Sequence, residues 1–219
     1  MAYPSVDKPY GLKPINLIGG QVFAGSTRQR RIASSADSIG FGDPLEFASD
    51  GTVKVTTATT TAPTTGFAGV FLGCTFVSSV TGQPTYSQQW TSGTSVKANT
   101  YIVAYVADDP DTLFKAVGVT ASLVVSTTGG FTYSNVGNNV ALVANTLNTT
   151  SGDSQQGLLV SSASTTLSLP IRIVDVVEDT AFVSSGTVYY PEVIVKFNAA
   201  YVNSGVIEGG HSYNNPTGV

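Results

Sequence analysis

Apolar and polar positions alternate in short runs along most of the chain, and turn residues interrupt these runs at intervals too short for helices. Period-two patterning of this kind predicts strands with one face buried. After a Pro- and Gly-punctuated opening, residues 31–33 and 39–41 read as short strands, and Gly42-Asp43-Pro44 turns into Leu45-Glu46-Phe47. Asp50-Gly51 is a hairpin signal ahead of a strand over 52–55. Residues 56–65 are almost entirely Thr and Ala, with Pro63 among them, and read as an extended loop or edge strand. Residues 67–77 (FAGVFLGCTFV) are mostly apolar, too short and too Gly-broken for a helix, and predict a buried central strand. A polar excursion over 78–99 carries Tyr86 and Trp90 as aromatic anchors, and strands follow over 101–106 and 112–117. The Gly-, Asn-, Ser- and Thr-rich middle predicts a short helix over 120–126 and short strands over 138–143 and 158–160. Residues 167–177 and 192–202 alternate clearly and read as antiparallel partners joined through Ser184-Ser185-Gly186.

These elements predict an all-β fold, an antiparallel β-sandwich or barrel with an extended N-terminal arm and long loops. The expected organisation is an arm over 1–36, a β-rich body over 37–203 with two subdomains dividing near 118–130, and a tail over 204–219. Composition agrees. With 42% apolar and 11% charged residues the chain can build a core and is unlike a disordered one. It holds 28 Val, 28 Thr and 24 Ser, the usage of strands and turns. One Cys and one His exclude an intramolecular disulfide and a zinc site of several Cys or His ligands. No run resembles a secretory signal or approaches a membrane span, so the reading is a chain made in a cytoplasm, with no membrane partner.

Net charge is −4, and its distribution says more than its size. The first 31 residues carry Lys8, Lys13, Arg28, Arg30 and Arg31 against Asp7, for +4, and the remainder carries −8. One reading is a solvated terminus. The other is an arm that docks on an acidic protein surface, kept extended by its prolines, with Tyr3, Tyr10, Leu12, Ile15, Leu17 and Ile18 as anchors. The expected contact residues are Tyr10, Leu12, Lys13, Ile15, Arg28, Arg30 and Arg31. No basic stripe continues into the body, so nucleic acid is not an expected partner.

Candidate chemistry is sparse. Asp108-Asp109-Pro110-Asp111 places three carboxylates in four residues, which calcium would accept, but it lacks a D-x-D-x-D-G loop and reads better as a turn. Asp175, Glu178 and Asp179 form a similar acidic turn after a strand. Cys74 and His211 are the one conceivable nucleophilic dyad, although Cys74 falls in an apolar run and His211 in a Gly- and Asn-rich one. No nucleophile elbow, P-loop, zincin or dinucleotide fingerprint occurs, and no pair of carboxylates is singled out for hydrolysis. The expectation is a protein without catalytic residues, cofactor or metal.

Several segments together resemble the tailed-bacteriophage capsid decoration (cement) proteins and related virion structural proteins. They are Pro9-Tyr10-Gly11-Leu12-Lys13-Pro14, Gly42-Asp43-Pro44-Leu45, residues 67–74, Ala104-Tyr105-Val106-Ala107-Asp108-Asp109-Pro110 with Phe114, Gly137-Asn138-Asn139, Gly157-Leu158, Leu169-Pro170-Ile171-Arg172-Ile173 and Val195-Lys196-Phe197-Asn198. The pattern departs at Ala199-Ala200-Tyr201, where a His-containing stretch would be expected. The resemblance implies a non-enzymatic protein on the capsid exterior that clamps neighbouring major capsid proteins and forms a homo-oligomer, a trimer by first expectation. A different class of reading is a virion-surface carbohydrate-binding or adhesion module, with Trp90, Tyr86 and Tyr133 stacking on sugars.

Overall fold

A computed structural model describes residues 5–25, 27–33, 35–57 and 59–217. Tyr3 lies outside the described residues. The first half forms β1 (Lys13–Leu17), β2 (Arg28–Ile32), β3 (Pro44–Phe47), β4 (Val53–Val55), β5 (Phe67–Val77), β6 (Pro84–Ser87) and β7 (Ile102–Ala107). The second half forms β8 (Thr112–Val119), β9 (Asn139–Val140), β10 (Leu142–Val143), β11 (Gly157–Leu159), β12 (Ile171–Val176), β13 (Phe182–Ser184), β14 (Thr187–Tyr189), β15 (Glu192–Phe197), β16 (Tyr201–Asn203) and β17 (Val206–Glu208). The all-β expectation holds. The short helix expected over 120–126 is instead a reverse turn, in which Leu123 N–H donates to Thr120 O and Leu123 itself has φ +60. A left-handed residue there stops any helical run.

Strands β3-β4-β2-β7-β5 are hydrogen-bonded in that order, and β3 also pairs with β5, so they form a small, nearly closed barrel with β6 added beyond β5. The second sheet runs β10-β11-β8-β15-β12-β9, with β1 paired antiparallel to β8. Most pairings are antiparallel; β2 with β4 and β8 with β11 are parallel. Two apolar clusters result. Ile32, Leu45, Phe71, Trp90, Ile102 and Val106 are among those filling the barrel. Phe67, Val70, Phe114, Ile173, Val195 and Phe197 belong to the cluster shared by the barrel and the second sheet. There Phe67 stacks on Phe197 with ring centres 4.3 Å apart.

β5 supplies both clusters, as a central buried strand must. Two irregularities make this possible: the register slips against β3 between Leu45 and Glu46, and against β7 between Phe71 and Gly73. A bulge changes which face the following side chains meet. Gly69 has φ +127, and a Cβ placed there would lie 2.4 Å from the Ala107 carbonyl oxygen.

The barrel strands β2 to β7 precede residues 108–111, and the second sheet takes its strands from β8 onward together with β1. The N-terminal segment is extended but does not stand apart from the body. β1 completes the second sheet, β2 pairs along β7 in the barrel, and Leu12 is only 1% exposed. Apolar anchors close to the body gain more from joining its core than from remaining in water. The expected tail is also tied in: Phe67 N–H donates to Gly210 O, Ser212 N–H donates to Phe67 O, and the Asn215 amide donates to Thr64 O and Gly209 O.

Gly69→Ala should lower the unfolding free energy by about 3 kcal/mol, combining positive-φ strain with a backbone clash. Urea titration measures this, and stability within experimental error of the parent would contradict it.

Candidate functional site

The residues expected to contact a partner are largely consumed within the chain. Tyr10 OH donates to the Glu192 carboxylate, which Lys115 Nζ also approaches at 3.0 Å. The ammonium groups of Lys13 and Lys115 lie 4.4 and 5.7 Å from the Tyr10 ring centre. Burial, reinforced by the bond to Glu192, raises the Tyr10 phenol far above its usual range. Ile15 is half-buried on β1. Arg28 Nε and Arg30 Nη2 reach Asp108 at 2.9 and 3.3 Å, and Tyr213 OH donates to the same carboxylate at 2.6 Å. Arg31 lies over the Tyr101 ring, 3.7 Å from its centre. Of the seven expected contact residues, Tyr10 bonds Glu192 with Lys13 over its ring, Arg28 and Arg30 pair with Asp108, Arg31 covers Tyr101, Ile15 is half-buried and Leu12 is core.

Asp108-Asp109-Pro110-Asp111 is a structural turn. Asp108 is the buried centre of an ion-pair group, an Asp109 oxygen accepts from Asp111 N–H at 2.9 Å, and Asp111 lies 3.7 Å from Lys196 Nζ. Among the described residues no three or more His, Cys, Asp or Glu side chains are grouped to hold a metal.

Cys74 and His211 are not a dyad. Cys74 lies in the barrel cluster, donates to Gln89 O at 3.5 Å, and burial pushes its thiol up to about 11. The His211 ring packs against Phe197 and Tyr213 instead. Its Nδ1 accepts from Tyr213 N–H at 3.3 Å, and Nε2 has no partner. Burial holds its pKa down at about 4; Asp108 and Asp109 oppose this and Arg30 adds to it. The expected sugar platform also fails at its centre, because Trp90 is fully buried against Phe76 while Tyr86 and Tyr133 are exposed on different parts of the fold.

Three features escaped the sequence reading. The first is a knot at Asp43, whose carboxylate accepts from Gly40 N–H at 2.7 Å and from Ser154 Oγ at 2.5 Å. Burial raises its pKa, against those bonds. The second is a cleft of about 600 Å³ lined by Arg172, Lys196 and His211 among others. The third is a pair of hairpins, β13–β14 and β16–β17, each a separate two-stranded sheet. Their signal was present as Ser-Gly at each turn.

No protein-family model, no curated protein and no solved structure matches this chain. The surface so described combines salt bridges closed within the chain, one buried imidazole with a lowered pKa and exposed apolar hairpins.

Two outcomes follow from this geometry. Asp108→Ala leaves Arg30 partly buried without its carboxylate and should cost about 2 kcal/mol by urea titration, with Asp108→Asn recovering part of it through Tyr213. The His211 imidazole, lowered from an ordinary 6.5 to about 4, binds its proton more readily in the unfolded chain. Its contribution to stability is therefore complete above pH 6.5 and is lost progressively as pH falls toward 4. Comparing His211→Gln with the parent across that interval isolates this contribution from the carboxylates, and parallel stability curves would refute it.

Proposed function

We propose that this chain is a non-enzymatic virion structural protein that binds the outer surface of a phage capsid as a homo-oligomer and cements neighbouring major capsid proteins. The observation that carries the reading is the pair of exposed hairpins. Ser185-Gly186 and Ser204-Gly205 both have positive φ at both positions, the geometry of a tight two-residue turn matched to strand twist. Val183 opposite Val188 on one hairpin, and Val202 and Val206 on the other, are 44–70% exposed. Two-stranded ribbons are marginal in water by themselves, and apolar faces on them are stabilised by a partner. Two such contact points on one chain allow simultaneous grip on adjacent shell subunits, with the avidity that follows.

The sequence resemblance supports the same reading, because its motifs fall where the fold is tied. Gly11 and Gly42 cross so closely that a Cβ on Gly11 would lie 2.5 Å from Gly42 O, and Asn198 donates to both Leu167 O and Leu169 O. In this role the protein is made in the host cytoplasm, ends on the virion exterior, and needs neither cofactor nor nucleic acid.

Electron microscopy of purified particles with and without the protein tests the proposal. The expected difference density lies on the outer shell between capsid subunits, and it is lost when Val183 and Val202 are both replaced by Asp. Particles that lack the protein, or carry it only in the tail or the lumen, would overturn the reading.

A further inference from the structure

Arg172 and Lys196 stand directly opposite one another in the β12–β15 ladder. Their neighbours Ile171, Ile173, Val195 and Phe197 point into the core, so both cations occupy the outer face. Like charges in this position destabilise a ladder. Neither is well compensated. The Arg172 side chain has no ion pair or hydrogen bond among the described residues, and the Lys196 ammonium meets only Asp111, at 3.7 Å, whose side chain is 63% exposed. Asp109, on the far side of Pro110, is held by the Asp111 amide. His211, in the wall of the same cleft, is neutral at physiological pH and its Nε2 has no acceptor. The cleft thus presents two cations and room for a ligand, about 600 Å³, with no anion of its own placed between them.

The opposite end of β12 has the reverse imbalance. Asp175 and, in the turn that follows, Glu178 and Asp179 are exposed, and none of the three has a cationic partner among the described residues. One carboxylate oxygen of Asp175 accepts its own neighbour's amide at 2.8 Å, and the acidic turn is otherwise open. A single strand therefore leads from an uncompensated cationic cleft to an uncompensated acidic turn.

We propose that the Arg172–Lys196 cleft is the receiving half of a head-to-tail self-association site, and that its ligand is the Glu178–Asp179 turn of a second copy of this chain. Arg binds carboxylates through paired N–H donors and Lys as a point charge, so two adjacent carboxylates suit this pair. The contact joins different surfaces of the two copies, and it produces a closed ring when the rotation between them closes. This deepens the homo-oligomer part of the proposed function by assigning its interface, and it concerns the purified chain alone, so it fails or stands separately from capsid binding.

Sedimentation velocity over a concentration series, at low and high salt, provides the test. The parent should associate at low salt and disperse as salt screens the contact. R172E/K196E should weaken association by at least about tenfold, and E178K/D179K should do the same. Mixing the two variants should restore pairwise association, since the cleft of each then meets a turn of opposite charge on the other. Circular dichroism confirms folding, and R172Q/K196Q serves as the milder variant, with an intermediate loss expected. A parent that is monomeric at every concentration, variants that assemble like the parent, or a mixture that does not recover would each overturn the proposal.

Discussion

Phe67 and Val70 face the space between barrel and sheet, while Ala68, Phe71 and Cys74 face the barrel interior, so one strand supplies both apolar cores. A regular strand could divide its side chains between two faces but could not also bend around the barrel and keep its hydrogen bonds with β3, β6 and β7. The register slips and the positive-φ glycines Gly69 and Gly73 provide that bend. Backbone bonds from outside the barrel sheet also secure this strand. Asp43 O accepts from Phe71 N–H, Phe71 O accepts from Gly42 N–H, and the chain end pairs with Phe67. The close approach of Val106 and Ala107 to Gly69 fixes where the barrel ends and the junction at 108–111 begins.

The same dependence explains the fate of the basic N-terminal segment. Segregated charge along a sequence suggests a separate partner, yet Arg28 and Arg30 find Asp108, about eighty residues later, because β2 pairs residue by residue with β7 and brings them to its end. Lys115 and Tyr10 find Glu192 by the equivalent route through β8 and β15. Part of the segment's charge is thus met within the fold, with Arg28 and Arg30 sharing Asp108. In these pairs the carboxylate is buried and the cation partly exposed, so desolvation and solvent screening offset much of the attraction.

How much of this was legible follows from the range of each interaction. β5, the Asp50-Gly51 turn and the β12–β15 pairing depend on local alternation and turn chemistry, and the sequence pattern contained them. The burial of Leu12, the Asp43–Ser154 bond and the position of Trp90 depend on contacts between segments far apart in the chain, for which no local signal exists. The helix expected over 120–126 failed for a local reason: a turn closed by Thr120 competes with helix, as Ser and Thr often do outside helix interiors. The cationic cleft lay between these cases. Both strands are legible in the sequence, but facing Arg172 with Lys196 requires their register, and the β12 bulge between Ile173 and Asp175 prevents alternation alone from fixing it.

That bulge also shapes the surface. Arg172 pairs with Lys196 and, past the slip, Asp175 pairs with Ile194, so residues of opposite charge emerge on one face although three positions apart in sequence. Without the slip, strand periodicity would place Asp175 on the face opposite Arg172, against the core, where an unpaired carboxylate is costly. The irregularity therefore keeps the apolar side of β12 intact and leaves its charges outside, cationic at one end and acidic at the other. Elsewhere, Arg28, Arg30, Lys54 and Lys115 are each matched to a carboxylate within the chain. The unmatched ends of β12 and the exposed valines of the two hairpins are parts of the surface that stand to gain from a neighbour. A structural protein that assembles with copies of itself and with a shell would need both kinds: charged contacts to set orientation, and apolar contacts to hold it.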